Sequence, residues 1–159
     1  PCDFFSAMIE LKLPVLGICG GHELLAHLIA KHYAIGKVPR VIAANPSGKH
    51  EPLTVADNPL EFQWHIDDPG ALEHGKYLFA GLPARFPVWI YHIHQVHTLP
   101  PHCISLGGTK QTPQGAISFA PPGSQNPLMF GVQFHPELSP ATTRRAIFSN
   151  FTLLCDDKA

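Results

Sequence analysis

Three features of the sequence predict an α/β domain. A strand, a glycine-rich turn and a helix follow one another across residues 14–32. Short apolar runs separated by Gly, Pro and Asn fill the middle, and a strand leads into a closing helix.

Taken in order, Asp3 to Lys12 carries apolar residues at Phe4, Phe5, Met8, Ile9 and Leu11, the spacing of a short amphipathic helix. Pro14 ends it, and Val15 to Ile18 is a compact apolar strand. From Gly21 to about His32 the helical period returns, with Leu24, Leu25, Leu28 and Ile29 on one face. Lys37 to Ala43, Leu53 to Val55 and Leu60 to Ile66 read as strands. Gly81-Leu82-Pro83 reads as a turn. Val88 to His92, Cys103 to Leu106, Gln114 to Phe119 and Leu128 to Phe134 read as further strands. Pro140 opens a last helix over about Ala141 to Leu154. The 159 residues, with no repeat and no low-complexity linker, fit one domain spanning 1–159.

The composition narrows the function classes. Formal net charge is −1 and 14% of residues are charged, which gives no electrostatic footprint for nucleic acid or an anionic membrane surface. The longest apolar stretches are too short to span a bilayer, and no basic-then-apolar leader opens the chain. Cysteines at positions 2, 19, 103 and 155 include no CxxC pair, so neither a disulfide framework nor a paired-ligand zinc site is indicated. A reducing cytoplasm is the expected setting, where one cysteine is free to act as a nucleophile. The first residue is Pro1, and a fragment of a longer chain is expected.

Cys19 lies between the first strand and the helix after it, flanked by Gly17, Gly20 and Gly21. Small neighbours suit a sharp nucleophile turn. The helix N-terminus is expected to favour thiolate there, and the Gly20 N–H is placed to donate to an oxyanion. A buried structural cysteine beside a glycine loop fits this stretch equally well. Far along the chain, Gly131-Val-Gln-Phe-His135-Pro136-Glu137 ends the penultimate element. Pro136 should hold His135 extended, so that Glu137, two residues on, lies near the imidazole. A histidine that moves protons and a carboxylate that sets its tautomer are what thiol-based acyl transfer needs.

Together, Gly-Ile-Cys-Gly-Gly-His-Glu and Gly-Val-Gln-Phe-His-Pro-Glu, in this order, resemble the signature motifs of the class I glutamine amidotransferases. Leu78 to Pro83, Val88 to Val96, Leu99-Pro100 and Ile147 to Phe151 are similar to the amidotransferase domain of the GMP synthetase type, so the resemblance covers nearly the whole chain. It implies a flavodoxin-like, doubly wound sheet with helices on both faces and with its first strand or strands missing here. It also implies hydrolysis of the glutamine side-chain amide, with no cofactor, to glutamate and ammonia. Cys19 would be the nucleophile, His135 the base and then acid, and Glu137 its orienting partner. Gly20, Glu23, Tyr91, Ile93 and His94 match positions that touch the substrate. A synthase, as partner or fused domain, would receive the ammonia.

The chain departs from the family pattern at three places. Glu23 stands where glutamine is usual, and ionised glutamate cannot donate a hydrogen bond. His94 and Ile93 stand where the GMP-type loop has aspartate and glycine. No Gly-Gly-Pro loop precedes Cys19 to supply a second oxyanion donor, so these 159 residues alone are expected to be poorly active.

Eleven histidines raise the question of a metal. His22 and His27 are five apart, and the zinc-protease helix needs four. His92 and His94, near His97 and His102, can share a strand face but lack carboxylates at ligand spacing. No metal is expected. Two rival functions stand beside glutamine hydrolysis: a γ-glutamyl hydrolase-like peptidase acting on another γ-glutamyl compound, and a non-catalytic regulatory domain.

Overall fold

In the computed structural model, residues 4–34, 40–44 and 60–156 are described. The elements run α1 (Phe4–Glu10), β1 (Val15–Ile18), α2 (Gly20–Tyr33), β2 (Ile42–Ala44), β3 (Leu60–Trp64) and α3 (Pro69–Phe79). They continue with β4 (Arg85–Val88), β5 (His94–Val96), β6 (Cys103–Gly108), β7 (Ala116–Phe119), β8 (Met129–Val132) and α4 (Ala141–Asp156). Six strands form one sheet in the order β1-β8-β7-β6-β3-β4, and β2 pairs with β5 separately. The β1–β8 pair is parallel, and the other pairs are antiparallel.

Strand alternation divides the core between two helical layers. Ala116, Phe130 and Val132 face the layer of α3 and α4, packed with Leu78, Phe79, Ile147 and Leu154. Phe119 and Met129 face α1 and α2, against Phe5, Met8, Leu25 and Ile29. Ile117 meets Ala26 and Ala30 of α2, where Val96 of β5 also packs. Helices therefore cover both faces, as the fold class requires.

The structure differs from the sequence reading at several elements. Helix α3 falls between Ile66 and Gly81, where the sequence reading places no element. Asp68 caps it by accepting from Ala71 N at 2.8 Å, and Pro69 sits in its first turn, where a missing N–H costs nothing. The strand read at Val88 to His92 is displaced: β4 ends at Val88, and residues 89–92 leave the sheet. The backbone of Trp89 instead bonds Ser139 Oγ and the His135 N–H. Residues 37–39 and the strand read at Leu53 to Val55 lie outside the described residues.

Candidate active site

Strands β1 and β8 run side by side in the same direction, with Ile18 opposite Val132. Their C-terminal ends therefore deliver the two motifs to one edge of the sheet. Cys19 is the N-cap of α2 and has φ 51° and ψ −109°, a conformation that L-residues rarely adopt and that clusters at functional sites. Its N–H donates to the Val132 carbonyl at 2.8 Å. The turn is tight because β1 presses against α2: a Cβ at Gly17 would stand 2.5 Å from the Gly21 carbonyl oxygen. A Cβ at Gly20 or Gly21 would meet nothing within 4 Å. Of the three flanking glycines, only Gly17 is required by steric fit.

The thiolate expected at the helix N-terminus is not favoured at Cys19. Burial raises the Cys19 thiol pKa, and the Glu23 and Glu137 carboxylates repel a negative sulfur. These effects outweigh donation from the Gly20 N–H and the Gln133 side chain. The Sγ–H donates to the Tyr91 carbonyl at 3.5 Å.

His135 Nδ1 and Glu137 Oε1 are 2.6 Å apart, with the imidazole largely covered and the carboxylate half-exposed. They meet across a turn rather than along an extended chain. Leu138 N and Ser139 N both donate to the His135 carbonyl, at 3.2 and 3.0 Å, and Pro136 occupies the position such turns favour for proline. Buried Ser139 braces the turn: its Oγ donates to the His135 carbonyl at 2.7 Å and accepts from Trp89 N at 3.1 Å. Trp89 in turn accepts the His135 N–H at 2.7 Å. The segment 89–91 thus touches the His135 backbone at one end and the Cys19 thiol at the other. These contacts draw it out of the sheet.

Of the residues matched to substrate contacts, Tyr91 points its carbonyl at the sulfur while its side chain is exposed. Ile93 and His94 lie exposed on the same segment. Glu23 is half-buried one helical turn beyond Cys19 and accepts from Gln133 Nε2 at 3.0 Å. Burial raises its carboxyl pKa, against the opposing effects of Gln133 and the His94 imidazole. Gln133 and Ser139 are the residues that the sequence reading passed over. The signal for Gln133 was its place two residues before His135, on the strand face that meets α2. Ser139 carried none.

Behind Cys19, the imidazole of His22 is fully buried, with Nε2 3.0 Å from the Gln114 carbonyl. A Cβ at Gly131 would stand 2.4 Å from its Nδ1. Burial holds its pKa down at about 4. His92, on the Tyr91 segment, is also buried and reaches Thr112 Oγ1 at 3.1 Å. Among the described residues no three His, Cys, Asp or Glu side chains converge as a metal site requires.

Residues 2–155 match the family model for glutamine amidotransferase class-I. The chain belongs to that family. Among curated relatives, it is 30% identical over 146 residues to a glutamine-hydrolysing GMP synthase of Thermosipho africanus, covering 91% of this chain and 22% of that protein. It is 30% identical over 148 residues to one subunit of the glutamine-hydrolysing GMP synthase of Thermococcus kodakarensis, covering 93% of this chain and 63% of that relative. The chain therefore spans less than two thirds of these relatives. A crystal structure of a GMP synthase subunit-type protein from Thermoplasma acidophilum superposes with a TM-score of 0.59 at 20% identity, covering 91% of this chain and 58% of that one. A glutamine amidotransferase from Thermotoga maritima gives 0.57 at 16% identity, covering 96% and 53%. The fold is the flavodoxin-like α/β fold of these class I glutamine amidotransferases. Among the described residues no helix is long and apolar enough to cross a membrane.

Proposed function

We propose that this amidotransferase domain hydrolyses the side-chain amide of L-glutamine through a Cys19 thioester, with His135 and Glu137 completing a triad. The observation that carries this reading is the segment 89–91, which accepts the His135 N–H through Trp89 and the Cys19 thiol through Tyr91. It sets both groups beside one short stretch of chain at the ends of adjacent parallel strands.

In this mechanism His135 takes the thiol proton at Nε2, since Nδ1 is engaged with Glu137. A base is needed because burial and nearby carboxylates keep the resting thiol protonated. Sulfur attacks the amide carbon, and the Gly20 N–H donates to the resulting oxyanion. His135 returns the proton to nitrogen as the C–N bond breaks and ammonia leaves. Water, deprotonated by His135, then attacks the thioester, which releases glutamate and restores the thiol. Glu137 keeps the imidazole in the required tautomer throughout. The Tyr91, Ile93 and His94 segment, together with Glu23, forms the substrate wall. The ammonia passes to a synthase, either a separate protein or a fused domain, in a reducing cytoplasmic setting.

A glutamine-mimicking electrophile tests this directly. The protein should label at Cys19 and release glutamate from glutamine, and Cys19→Ala should abolish both. An unlabelled wild type would support the regulatory reading instead. The Glu23 carboxylate favours keeping a second substrate class in the assay. Turnover of γ-glutamyl peptides or γ-glutamyl polyamines above that of free glutamine would redirect the assignment to a γ-glutamyl hydrolase.

A further inference from the structure

Gln133 is fully buried beside the thiol and has no task in the mechanism above. The β1–β8 register ends with Ile18 opposite Val132, and the Cys19 N–H continues it by donating to the Val132 carbonyl at 2.8 Å. Cys19 and Gln133 therefore follow as neighbours across the pair. Phe130, Val132 and Phe134 point into the α3–α4 core, so strand alternation sends Gln133 to the α2 side, where Cys19 and Glu23 lie.

The amide of Gln133 can turn either its nitrogen or its oxygen toward α2. Glu23 decides between them. An ionised carboxylate only accepts, so it selects the nitrogen, and the contact is 3.0 Å. The Glu23 N–H donates to the Cys19 carbonyl at 3.2 Å, fixing where the carboxylate starts from. The Gln133 oxygen is left buried with no hydrogen-bond partner among the described residues. Turning the amide over would set its oxygen against the Glu23 carboxylate, two acceptors face to face, which is the costlier arrangement. An NH₂ group carries two donors, and only one is spent on Glu23.

We propose that Gln133 is a catalytic residue that gives its second amide N–H to the Cys19 sulfur as the thiolate forms, and that Glu23 is the positioning residue that keeps the nitrogen facing it. The electrostatics of the thiol agree in sign, since Gln133 favours the ionised sulfur. Glu23 acts in two opposed ways: its charge repels the thiolate, while its grip on the amide supports it. The titratable groups around Glu23 are Cys19 on its own helix and His94 on the neighbouring strand β5.

This assignment rests on Cys19 being the nucleophile but not on which amide it cleaves. The test therefore reads the sulfur itself. In the intact protein, iodoacetamide alkylation of Cys19 is followed against pH by mass spectrometry of its peptide, with glutamine turnover measured in parallel. Gln133→Met should raise the apparent thiol pKa by about 1 and slow alkylation at pH 7 about three- to fourfold. In a Glu23→Met background, where nothing holds the amide, the same change should alter the rate by less than about twofold. Equal factors in the two backgrounds would overturn the positioning role of Glu23. An unmoved pH profile in Gln133→Met would overturn the donor role. Should these variants fail to fold, the Gln133 side-chain amide protons of the wild type give a second reading by NMR. Their shifts should follow the Cys19 titration, and shifts that ignore it would overturn the proposal. Normal alkylation behaviour without glutamine turnover would instead count against the proposed activity.

Discussion

The two halves of the site are held by different forces. On the Cys19 side, the residue has a positive φ where β1 and α2 are packed so closely that Gly17 has no room for a Cβ. On the His135 side, the residue lies in a turn where its carbonyl accepts from Ser139 and its N–H and Nδ1 engage the Trp89 carbonyl and the Glu137 carboxylate. Volume constrains the first half and polar atoms constrain the second. The Cys19 side should therefore fail when a methyl is added, and the His135 side when a donor or an acceptor is removed.

Glu137→Gln gives the sharpest contrast, because it keeps shape and removes charge. The expected result is a fall in kcat of about 100-fold or more, with the melting temperature little changed. A kcat within a few-fold of wild type would remove Glu137 from the mechanism. Gly17→Ala should act through fit instead, forcing a methyl to 2.5 Å from the Gly21 carbonyl and costing about 3 kcal/mol in denaturant unfolding. Wild-type stability in that variant would show that the elbow is looser than the packing implies.

Acid should weaken the Cys19 side through His22. Its pKa in the folded protein is about 4 against an ordinary 6.5, so the unfolded chain takes up a proton first as the pH falls. Stability from the neutral, buried ring is complete above about pH 6.5 and drains away down to about pH 4. Urea unfolding at pH 7.5 and pH 5 should differ by about 2 kcal/mol from this group, and His22→Gln should flatten that difference. If the two pH profiles coincide, His22 is not the group responsible. The smallest effect is expected for Ser139→Ala. It should cost about 1 kcal/mol and lower kcat by disturbing the His135 turn, and it should leave Cys19 alkylation unchanged.

The same contrast explains what the sequence revealed. The elbow was readable because close packing writes itself as glycine next to apolar residues, so β1 and α2 stand within a residue of where Val15 to Ile18 and the helix from Gly21 were placed. The His135–Glu137 pair was readable from its spacing, although its turn was not, because a proline that restricts its predecessor also initiates turns. Helix α3 was hidden because Asp67-Asp68-Pro69-Gly70 looks like a loop until Asp68 is seen to cap and Pro69 to start a helix. Residues 89–92 have strand composition and leave the sheet only because Ser139, His135 and Thr112 take their polar groups. Those partners lie far away in sequence, and no local pattern announces them. Gln133 was in plain view, yet its partner Glu23 becomes its neighbour only when β8 lies beside β1.

The parallel pairing of β1 with β8 also affects how the protein is made. Cys19 and His135 follow the strands of this sheet that come first and last in chain order among the described residues. During synthesis the cysteine leaves the ribosome on the order of ten seconds before the histidine does, at ordinary elongation rates. Until then Cys19 stands without His135 and Glu137 beside it, so the proposed triad assembles only once β8 and the turn after it have been made.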